Sequence, residues 1–458
     1  MNKKLHFSKF NTYTENGDGE ILIYNSLNIN NNFCKLKSCY TQNFKRAVED
    51  DYVYYLPDHL IDALTKRTMI VDDSYDEIQI LEYMKMKVIT GTLDRNVLHI
   101  IILPTGKCNF KCEYCYEKFE NGKMPAEVQN AIVRFVRKRI VNYSGVIVSW
   151  FGGEPLLEQS IISYISQKII AICDSLKKTY YASITTNGYL LTPQVMKELI
   201  KCRVYQYQIT LDGTQDIHDK YRHLVNGEPT FNKIESNLIE IKNQIKTRVF
   251  NISIRCNFTK ESLGKLDDFV KWFKSNFGDD NRFSVFVRTV GIYGDGDNGI
   301  EPDSLLDSGV GVICQRLFDT GGGFAKDSKL TISNIGFLSP GGCVCYAGKD
   351  NSFVFDSIGK VRKCTVALSE DYNIVGEIKN GEVLIDEVSL KKWLIPSKLH
   401  DECLECCFAG ACMDSVCHTN KAKGIRNEHG NCPHEKDAVK SLIGIFDKMG
   451  RIEYVNEI

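Results

Sequence analysis

Short apolar segments alternate with longer amphipathic segments through the middle of the chain. The apolar segments have the length of buried strands and lie at Leu98–Leu103, Val146–Phe151, Tyr180–Thr185, Tyr205–Leu211, Phe250–Phe258 and Phe283–Val290. Between them, apolar residues recur at helical spacing in Ala126–Val141, Ser160–Leu176, Pro193–Lys201, Phe231–Ile245 and Leu263–Phe273. Strands that alternate with helices in this way predict a parallel sheet covered by helices, hence an α/β fold. Six such units predict an open, partial (β/α)6 barrel.

The two ends of the chain differ from this repeating middle. Residues 1–92 contain strand-like segments at Glu20–Tyr24 and Tyr52–Leu56, and helical segments at Asn43–Val48, His59–Lys66 and Tyr75–Lys87, an order typical of winged-helix domains. The last part combines many cysteines with turn-forming residues and ends in an amphipathic segment, Lys436–Met449. We therefore expect a winged-helix-like domain at 1–92, the barrel at 93–305, a linker at 306–340 and a cysteine-rich domain at 341–458.

Charge and cysteine content narrow the possible functions. The 458 residues carry 57 Lys and Arg against 58 Asp and Glu, a formal net charge of -1, which argues against a nucleic-acid partner or an anionic membrane. The first ten residues are not followed by an apolar run, and no apolar run is long enough to cross a membrane, so we expect a cytoplasmic protein. In that compartment, 18 cysteines indicate metal or iron–sulfur ligation rather than disulfides.

Three cysteines follow the first barrel strand at a short, regular spacing. Cys108, Cys112 and Cys115 lie in the sequence TGKCNFKCEYCY, directly after Leu98–Leu103. Three thiolates at this spacing can hold three irons of a 4Fe-4S cluster and leave the fourth iron open to a small molecule. A zinc knuckle is the alternative, although zinc usually takes four ligands in two Cys-x2-Cys pairs. The motif and its position resemble the radical S-adenosylmethionine (SAM) superfamily, which implies SAM as a cofactor.

Further motifs follow the later strands in the order that this superfamily has. The resemblance implies that Gly152, Gly153, Glu154 and Pro155 contact the SAM amino group and that Arg222 binds its carboxylate. It also implies a position beside the adenine for Tyr114. The polar residues that end the third and fourth strands are the remaining expected SAM contacts: Thr185, Thr186, Asn187, Thr210 and Asp212.

The cysteines of the last region resemble those of the SPASM domain, which implies two auxiliary 4Fe-4S clusters. One cluster would use Cys403, Cys406, Cys412 and Cys432, and the other Cys345, Cys364 and Cys417, with its fourth position open or taken by Cys343. Two departures from the family pattern are the four residues between Cys412 and Cys417 and the additional Cys407. A zinc ribbon built from Cys403, Cys406, Cys412 and Cys417 is the alternative.

Together these regions resemble radical SAM/SPASM peptide maturases of the thioether-forming sactipeptide and ranthipeptide class. The resemblance implies a ribosomally made, cysteine-containing precursor peptide, whose leader is held by the N-terminal domain, and a reducing partner such as flavodoxin or ferredoxin. Carbon–carbon crosslinking is an alternative with the same domains. An anaerobic sulfatase maturase, which oxidises Cys or Ser, is another, but that family has Asp where Thr365 follows Cys364. A DNA-binding winged helix is disfavoured by the ordered SAM motifs and the balanced charge.

Overall fold

The computed structural model describes most of the chain, in ranges separated by gaps. The described residues are 4–28, 30, 32–92, 96–118, 121–290, 330–331, 338, 345–394, 401–413, 418–424 and 436–455. Cys343, Cys417 and Cys432 lie outside these ranges, as does most of the predicted linker at 306–340.

The N-terminal region combines a small antiparallel sheet with three helices. Its strands are β1 (Leu5–Phe7), β2 (Asn11–Glu15), β3 (Ile21–Asn25), β4 (Phe33–Leu36) and β5 (Ile70–Asp72), and its helices are α1 (Thr41–Glu49), α2 (Asp58–Lys66) and α3 (Glu77–Thr92). Strands β2, β3 and β4 form one sheet, and β1 pairs with β5. The strand predicted at Tyr52–Leu56 is wrong. Its backbone closes a local 3-10 turn, in which Leu56 N donates to Val53 O at 3.0 Å, instead of pairing with a neighbouring strand.

The central region confirms the predicted barrel strands, and its elements alternate as expected. The strands are β6 (Val97–Ile102), β7 (Phe110–Cys112), β8 (Gly145–Trp150), β9 (Thr179–Thr186), β10 (Val204–Thr210), β11 (Arg222–Leu224), β12 (Asn251–Phe258), β13 (Phe283–Thr289) and β14 (Leu330–Thr331). The helices are α4 (Ala126–Arg139), α5 (Gln159–Ser175), α6 (Pro193–Lys201), α7 (Gln215–Tyr221), α8 (Phe231–Gln244), α9 (Lys260–Leu263) and α10 (Leu266–Phe277).

The C-terminal region begins as a continuation of the barrel sheet. Its strands are β15 (Ser352–Phe355), β16 (Lys360–Arg362), β17 (Ile374–Lys379) and β18 (Glu382–Ile385), and its helices are α11 (Glu387–Leu394), α12 (Asp401–Leu404), α13 (Ala409–Cys412), α14 (His418–Lys423) and α15 (Lys436–Lys448). The large sheet has the strand order β14-β13-β12-β10-β9-β8-β6-β15-β16-β17-β18. Neighbours are parallel from β14 to β15 and antiparallel from β15 to β18.

Side chains alternate between the two faces of the parallel sheet, which therefore differ in chemistry. The helix-covered face is apolar and buried in the main core, with Ile100, Val148, Ala182, Ile209 and Ile252. The opposite face carries polar side chains, which are hydrogen-bonded from strand to strand. His99 Nε2 lies 3.0 Å from Ser149 Oγ, and Ser183 Oγ donates to Ser149 Oγ at 3.0 Å. This face therefore carries polar contacts across β6, β8 and β9, next to a small apolar cluster of Ile101, Leu103 and Val354.

The N-terminal region packs directly against the second group of cysteines. Phe10, Leu27 and Leu81 share an apolar cluster with Ala409, which lies between Cys406 and Cys412. The two backbones touch here, because a Cβ atom added to Gly410 would lie 2.3 Å from the Ser26 carbonyl oxygen. The residues that precede the C-terminus also join the N-terminal sheet. Lys35 N on β4 donates to Glu453 O at 3.0 Å, and Val455 N donates to Lys35 O at 3.1 Å.

Replacement of Gly410 by alanine should therefore loosen the contact between these two regions. We expect Gly410→Ala to lower the free energy of unfolding by about 1–3 kcal/mol, because backbone at Ser26 has to move to accept the methyl group. Gly444→Ala is the matched control: apart from its own helix and its neighbours in the sequence, no described residue lies within 4 Å of the added Cβ, and α15 should gain roughly 0.5–1 kcal/mol. Urea unfolding of both variants measures the difference, and equal stabilities would contradict the close contact.

The buried imidazole of His99 should make stability depend on pH. Burial, followed by the charges of Lys349 and Lys363, lowers the pKa of His99 to about 4. The unfolded chain, with an ordinary histidine pKa near 6.5, binds a proton that the native protein does not, so stability is lost as the pH falls from about 6.5 to about 4. Between about pH 7 and about pH 5, we expect the wild type to lose about 2 kcal/mol more than His99→Gln. Urea unfolding of the metal-free proteins at both pH values checks this, and parallel losses would contradict it.

Candidate active site

The carboxyl ends of the barrel strands surround an open cavity. The three cysteines of the first motif, Cys108, Cys112 and Cys115, line one side of it. The cavity is also lined by most of the predicted SAM contacts: Tyr114, Gly152, Gly153, Thr185, Thr186, Asn187, Thr210 and Arg222. Glu154, Pro155 and Asp212 are buried behind its wall instead of lining it. The fold therefore brings together residues that are more than a hundred positions apart in the sequence.

The cysteine loop is held by a short strand pair. Strand β7 pairs antiparallel with β11, which places Cys112 opposite Arg222. Phe110 N donates to the Cys108 sulfur at 3.4 Å, and Cys115 N donates to Cys112 O at 3.1 Å. Burial raises the pKa of Cys108 and of Cys115 to about 12. Ligation of iron by these thiols therefore includes the release of their protons.

The glycines after β8 allow two backbone segments to meet. A Cβ atom on Gly153 would lie 2.1 Å from the Lys107 carbonyl oxygen, and Gly152 has a φ of 86°. Glu154 N donates to that same Lys107 oxygen at 2.9 Å. The loop that carries the cysteines is thereby joined to the loop after β8, and only glycine fits at the junction.

The Glu154 carboxylate is fully buried and does not line the cavity. It accepts hydrogen bonds from Leu156 N at 2.9 Å, Asn187 N at 2.8 Å and Thr186 Oγ1 at 2.7 Å. Burial raises its pKa to about 6, against the opposing effect of these donors. The prediction that Glu154 contacts the SAM amino group stays a prediction; in the described geometry, the carboxylate holds the end of β9 in place.

Asp212 has a comparable position behind Tyr114 and Arg222. Its carboxylate accepts from the Tyr114 hydroxyl and from Asn257, whose N and Nδ2 lie at 2.8 and 3.0 Å. Arg222 Nη1 in turn donates to the Tyr114 hydroxyl at 3.1 Å. Asp212 thus orients an aromatic ring and a guanidinium that both line the cavity.

The hydrogen bonding of the Arg222 guanidinium shows whether the cavity suits a ligand such as SAM. Arg222 is 8% exposed, and its Nε has no hydrogen-bond partner among the described residues. A buried N–H without a partner is costly, and a carboxylate is the group that a guanidinium binds best. The residues of the cavity therefore fit a ligand that carries a carboxylate, as SAM does.

Several cavity residues were missed by the sequence analysis. Gln208, Arg255 and Asn257 line the cavity from β10 and β12, and Glu117 lies beside the cysteines. Thr210 on β10 pairs with Arg255 on β12. Gln208 and Asn257 lie two positions from these residues and therefore point to the same face, so the alternation of side chains along each strand is the signal that could have found them. Glu117 accepts from Gly153 N at 2.9 Å, a contact that no local pattern predicts.

The described C-terminal cysteines fall into two groups. Cys364 follows β16, and Asn373 holds its backbone: Cys364 N donates to Asn373 Oδ1 at 2.9 Å. Cys345 directly precedes the turn Tyr346–Gly348. This turn touches His418, because a Cβ atom added to Gly348 would lie 2.1 Å from the His418 ring. His418 is the residue after Cys417 in the sequence. The other group, Cys403, Cys406, Cys407 and Cys412, lies on the α12–α13 segment beside the N-terminal region. No set of three or more His, Cys, Asp or Glu residues in the described ranges is arranged around a single metal ion.

Comparison with known proteins identifies the central region. The model of the radical SAM superfamily matches residues 102–272. The chain is 27% identical, over 72% of its length and 90% of the relative's, to the cysteine-type anaerobic sulfatase-maturating enzyme of Clostridium novyi (strain NT). It is 24% identical, over 53% of its length and 56% of the relative's, to the radical SAM cyclopropyl synthase TigE of Paramaledivibacter caminithermalis.

A solved structure shares the fold over most of the chain. Native anSMEcpe with bound AdoMet and Kp18Cys peptide superposes with a TM-score of 0.58 at 20% identity, over 77% of this chain and 96% of that one. Within the described ranges, no helix has both the length and the apolar character that a membrane crossing requires. The family match, the shared fold and the cavity agree: residues 102–272 of this chain are a radical SAM domain.

Proposed function

We propose that this chain is a radical SAM enzyme that forms thioether crosslinks in a ribosomally made precursor peptide. The observation that carries the proposal is the cavity in which Cys108, Cys112 and Cys115 face Arg222 and the Gly152–Gly153 backbone. When bound, a 4Fe-4S cluster and SAM together supply the reductive cleavage that generates a 5'-deoxyadenosyl radical.

The chain's own residues position these groups and exclude water. Arg222 would bind the SAM carboxylate, and the bare backbone at Gly152–Gly153 would allow close approach of the SAM amino group. Thr185 and Asn187 would hydrogen-bond to the ribose. Phe110, Phe151 and Val290 contribute apolar walls to the same cavity, which keep the radical away from solvent.

Thioether formation requires an electron acceptor in addition to SAM. Joining a cysteine sulfur to a carbon removes a hydrogen atom from the carbon, a proton from the thiol and one further electron. We assign the acceptance of that electron to auxiliary 4Fe-4S clusters held by the C-terminal cysteines. The support is the position of Cys345 before β15 and of Cys364 after β16, two strands of the sheet that continues the barrel, with His418 beside Gly348.

The proposed peptide partner would be held by the N-terminal region. In the sheet β2–β3–β4, the edge of β4 is already occupied by residues 453–455, whereas no described strand pairs with the outer edge of β2. We therefore propose β2 as the edge to which a leader peptide adds as a strand. A flavodoxin or ferredoxin would supply electrons, and the proposed location remains cytoplasmic.

Oxidation of a Cys or Ser side chain is the second candidate function, favoured by the similarity to the sulfatase-maturating enzyme of Clostridium novyi (strain NT). Thr365 argues against it, because it stands where that family has an Asp. Thr365 Oγ1 lies 2.8 Å from the Tyr346 hydroxyl, which also accepts from Thr365 N at 3.0 Å. A hydroxyl in this position does not supply the carboxylate base.

Loss of one cysteine of the first motif should abolish radical formation and leave the auxiliary clusters intact. We expect Cys112→Ala to make no 5'-deoxyadenosine and to bind about four fewer irons than the wild type, because one cluster is lost and the auxiliary clusters remain. Cys39→Ala is the control and should keep full activity, because Cys39 is exposed and belongs neither to the first motif nor to the C-terminal cysteines. Chromatography of the nucleoside and an iron assay on anaerobically reconstituted protein measure both effects. Formation of 5'-deoxyadenosine by Cys112→Ala would refute the assignment.

The product mass separates the two candidate functions. With a cysteine-rich peptide encoded beside the gene as substrate, thioether formation should give a product that is lighter by two hydrogens, retains its sulfur and has one fewer thiol for alkylation. Oxidation to formylglycine would instead remove the sulfur from a cysteine. Mass spectrometry of the alkylated peptide distinguishes these outcomes, and loss of sulfur would replace our proposal with the second candidate.

A further inference from the structure

A second cavity adjoins the one that contains the cysteines. Tyr116 and Glu117 line both cavities and form the partition between them. The other walls come from the loop after β6 and from the turn between β15 and β16. The second cavity therefore lies between the radical SAM domain and the C-terminal part of the shared sheet.

Ser357 in this turn has an unused hydrogen-bonding group. The residue is only 2% exposed, lines the second cavity, and its Oγ has no partner among the described residues. A buried hydroxyl without a partner is costly, and a ligand in the cavity that bonds to it would remove that cost. Of the serines that line the second cavity, Ser369 is exposed, so Ser357 is the buried one.

The turn that carries Ser357 is held rigidly. Asp356 Oδ1 accepts from Ile358 N at 3.1 Å and from Lys360 N at 2.8 Å. Asp356 Oδ2 accepts from Arg362 Nε at 2.8 Å, in an ion pair whose two side chains are both buried. The backbone of Ser357 is therefore fixed in the cavity wall before any ligand arrives, while its hydroxyl, which has no partner among the described residues, is able to rotate toward a ligand. The charges of Asp356 and Arg362 beside it neutralise each other.

The remaining wall residues indicate the class of ligand. Leu103 and Leu368 supply apolar surface, and Asn121 supplies an amide, while Ile358 lies at the rim with 53% of its surface exposed. The charged side chains in the walls are two cations, Lys118 and Arg362, and two carboxylates, Glu117 and Asp356. Because these charges balance, the walls offer neither a cluster of cations for phosphate nor a set of carboxylates for a metal. Alternating apolar and hydrogen-bonding surface fits an extended peptide, whose backbone and side chains alternate in the same way.

We propose that the second cavity binds the segment of the substrate peptide that flanks the modified residue, with the Ser357 hydroxyl bonded to its backbone. The residue to be modified then reaches past Tyr116 and Glu117 into the cavity with the cysteines. This inference rests on the proposed function, because it supplies the substrate site of the same reaction.

The test compares peptide capture by reconstituted, SAM-loaded protein and its variants. The probe is a pooled library of synthetic peptides, each with a central cysteine between randomised residues, and mass spectrometry quantifies what immobilised protein retains. Ser357→Trp fills the cavity, and Ile358→Asp places a charge at its exposed rim, where a substitution leaves folding intact. Ser236→Trp, on the exposed surface of α8, is the matched control for the added indole.

We expect wild type and Ser236→Trp to retain the same peptides in the same amounts. The amount of peptide retained by each cavity variant should be lower by a factor of about ten or more. The melting temperature of each variant shows whether it is folded. If Ser357→Trp melts well below the wild type, the result for Ile358→Asp alone tests the inference. Retention by the cavity variants at the wild-type level would overturn this inference and leave the proposed function standing. Failure of the wild type to retain any library peptide would also overturn this inference alone, because the library lacks the leader on which the proposed function depends. The proposed function falls separately, if a full-length precursor with its leader is not modified.

Discussion

The hydrogen bond from Glu154 N to the Lys107 carbonyl oxygen joins the two loops on which the site depends. It forms because Gly153 has no side chain, so that the backbones after β6 and β8 approach as closely as backbones can. One loop carries the three cysteines, and the other presents its bare backbone to the same cavity. A side chain at the junction would separate the residues expected to hold the cluster from those expected to hold SAM.

Two buried carboxylates stabilise the walls of the cavity from behind. Glu154 is surrounded by donors from the end of β9, and Asp212 by Tyr114 and Asn257. A buried carboxylate is tolerated only when such donors satisfy it, and its bonds are strong in an environment of low dielectric. These two acidic residues therefore fix the positions of neighbouring groups, while Arg222 keeps one N–H that no described residue accepts.

The regions outside the barrel are attached to it by extensive contacts rather than by a flexible tether. Strand β15 pairs in parallel with β6, so the sheet continues from the radical SAM domain into the cysteine-rich region. The N-terminal region packs through Ser26 against Gly410, and residues 453–455 extend its sheet. Peptide recognition, electron acceptance and hydrogen abstraction, if they occur as proposed, take place on one continuous framework.

The sequence by itself determined the barrel elements and the first cysteine motif, because both are local. Apolar periodicity sets strands such as β9 and helices such as α5, and the spacing of Cys108, Cys112 and Cys115 needs no knowledge of the rest of the chain. The tertiary structure decided which side chains face the cavity. The pairing of Thr210 with Arg255 brings Arg255 to the cavity wall. Glu154, in contrast, is buried and does not line the cavity. Alternation along a strand indicates which of its side chains share a face. Which segments pair, and which side chains become buried, depends on contacts between segments that are distant in the sequence.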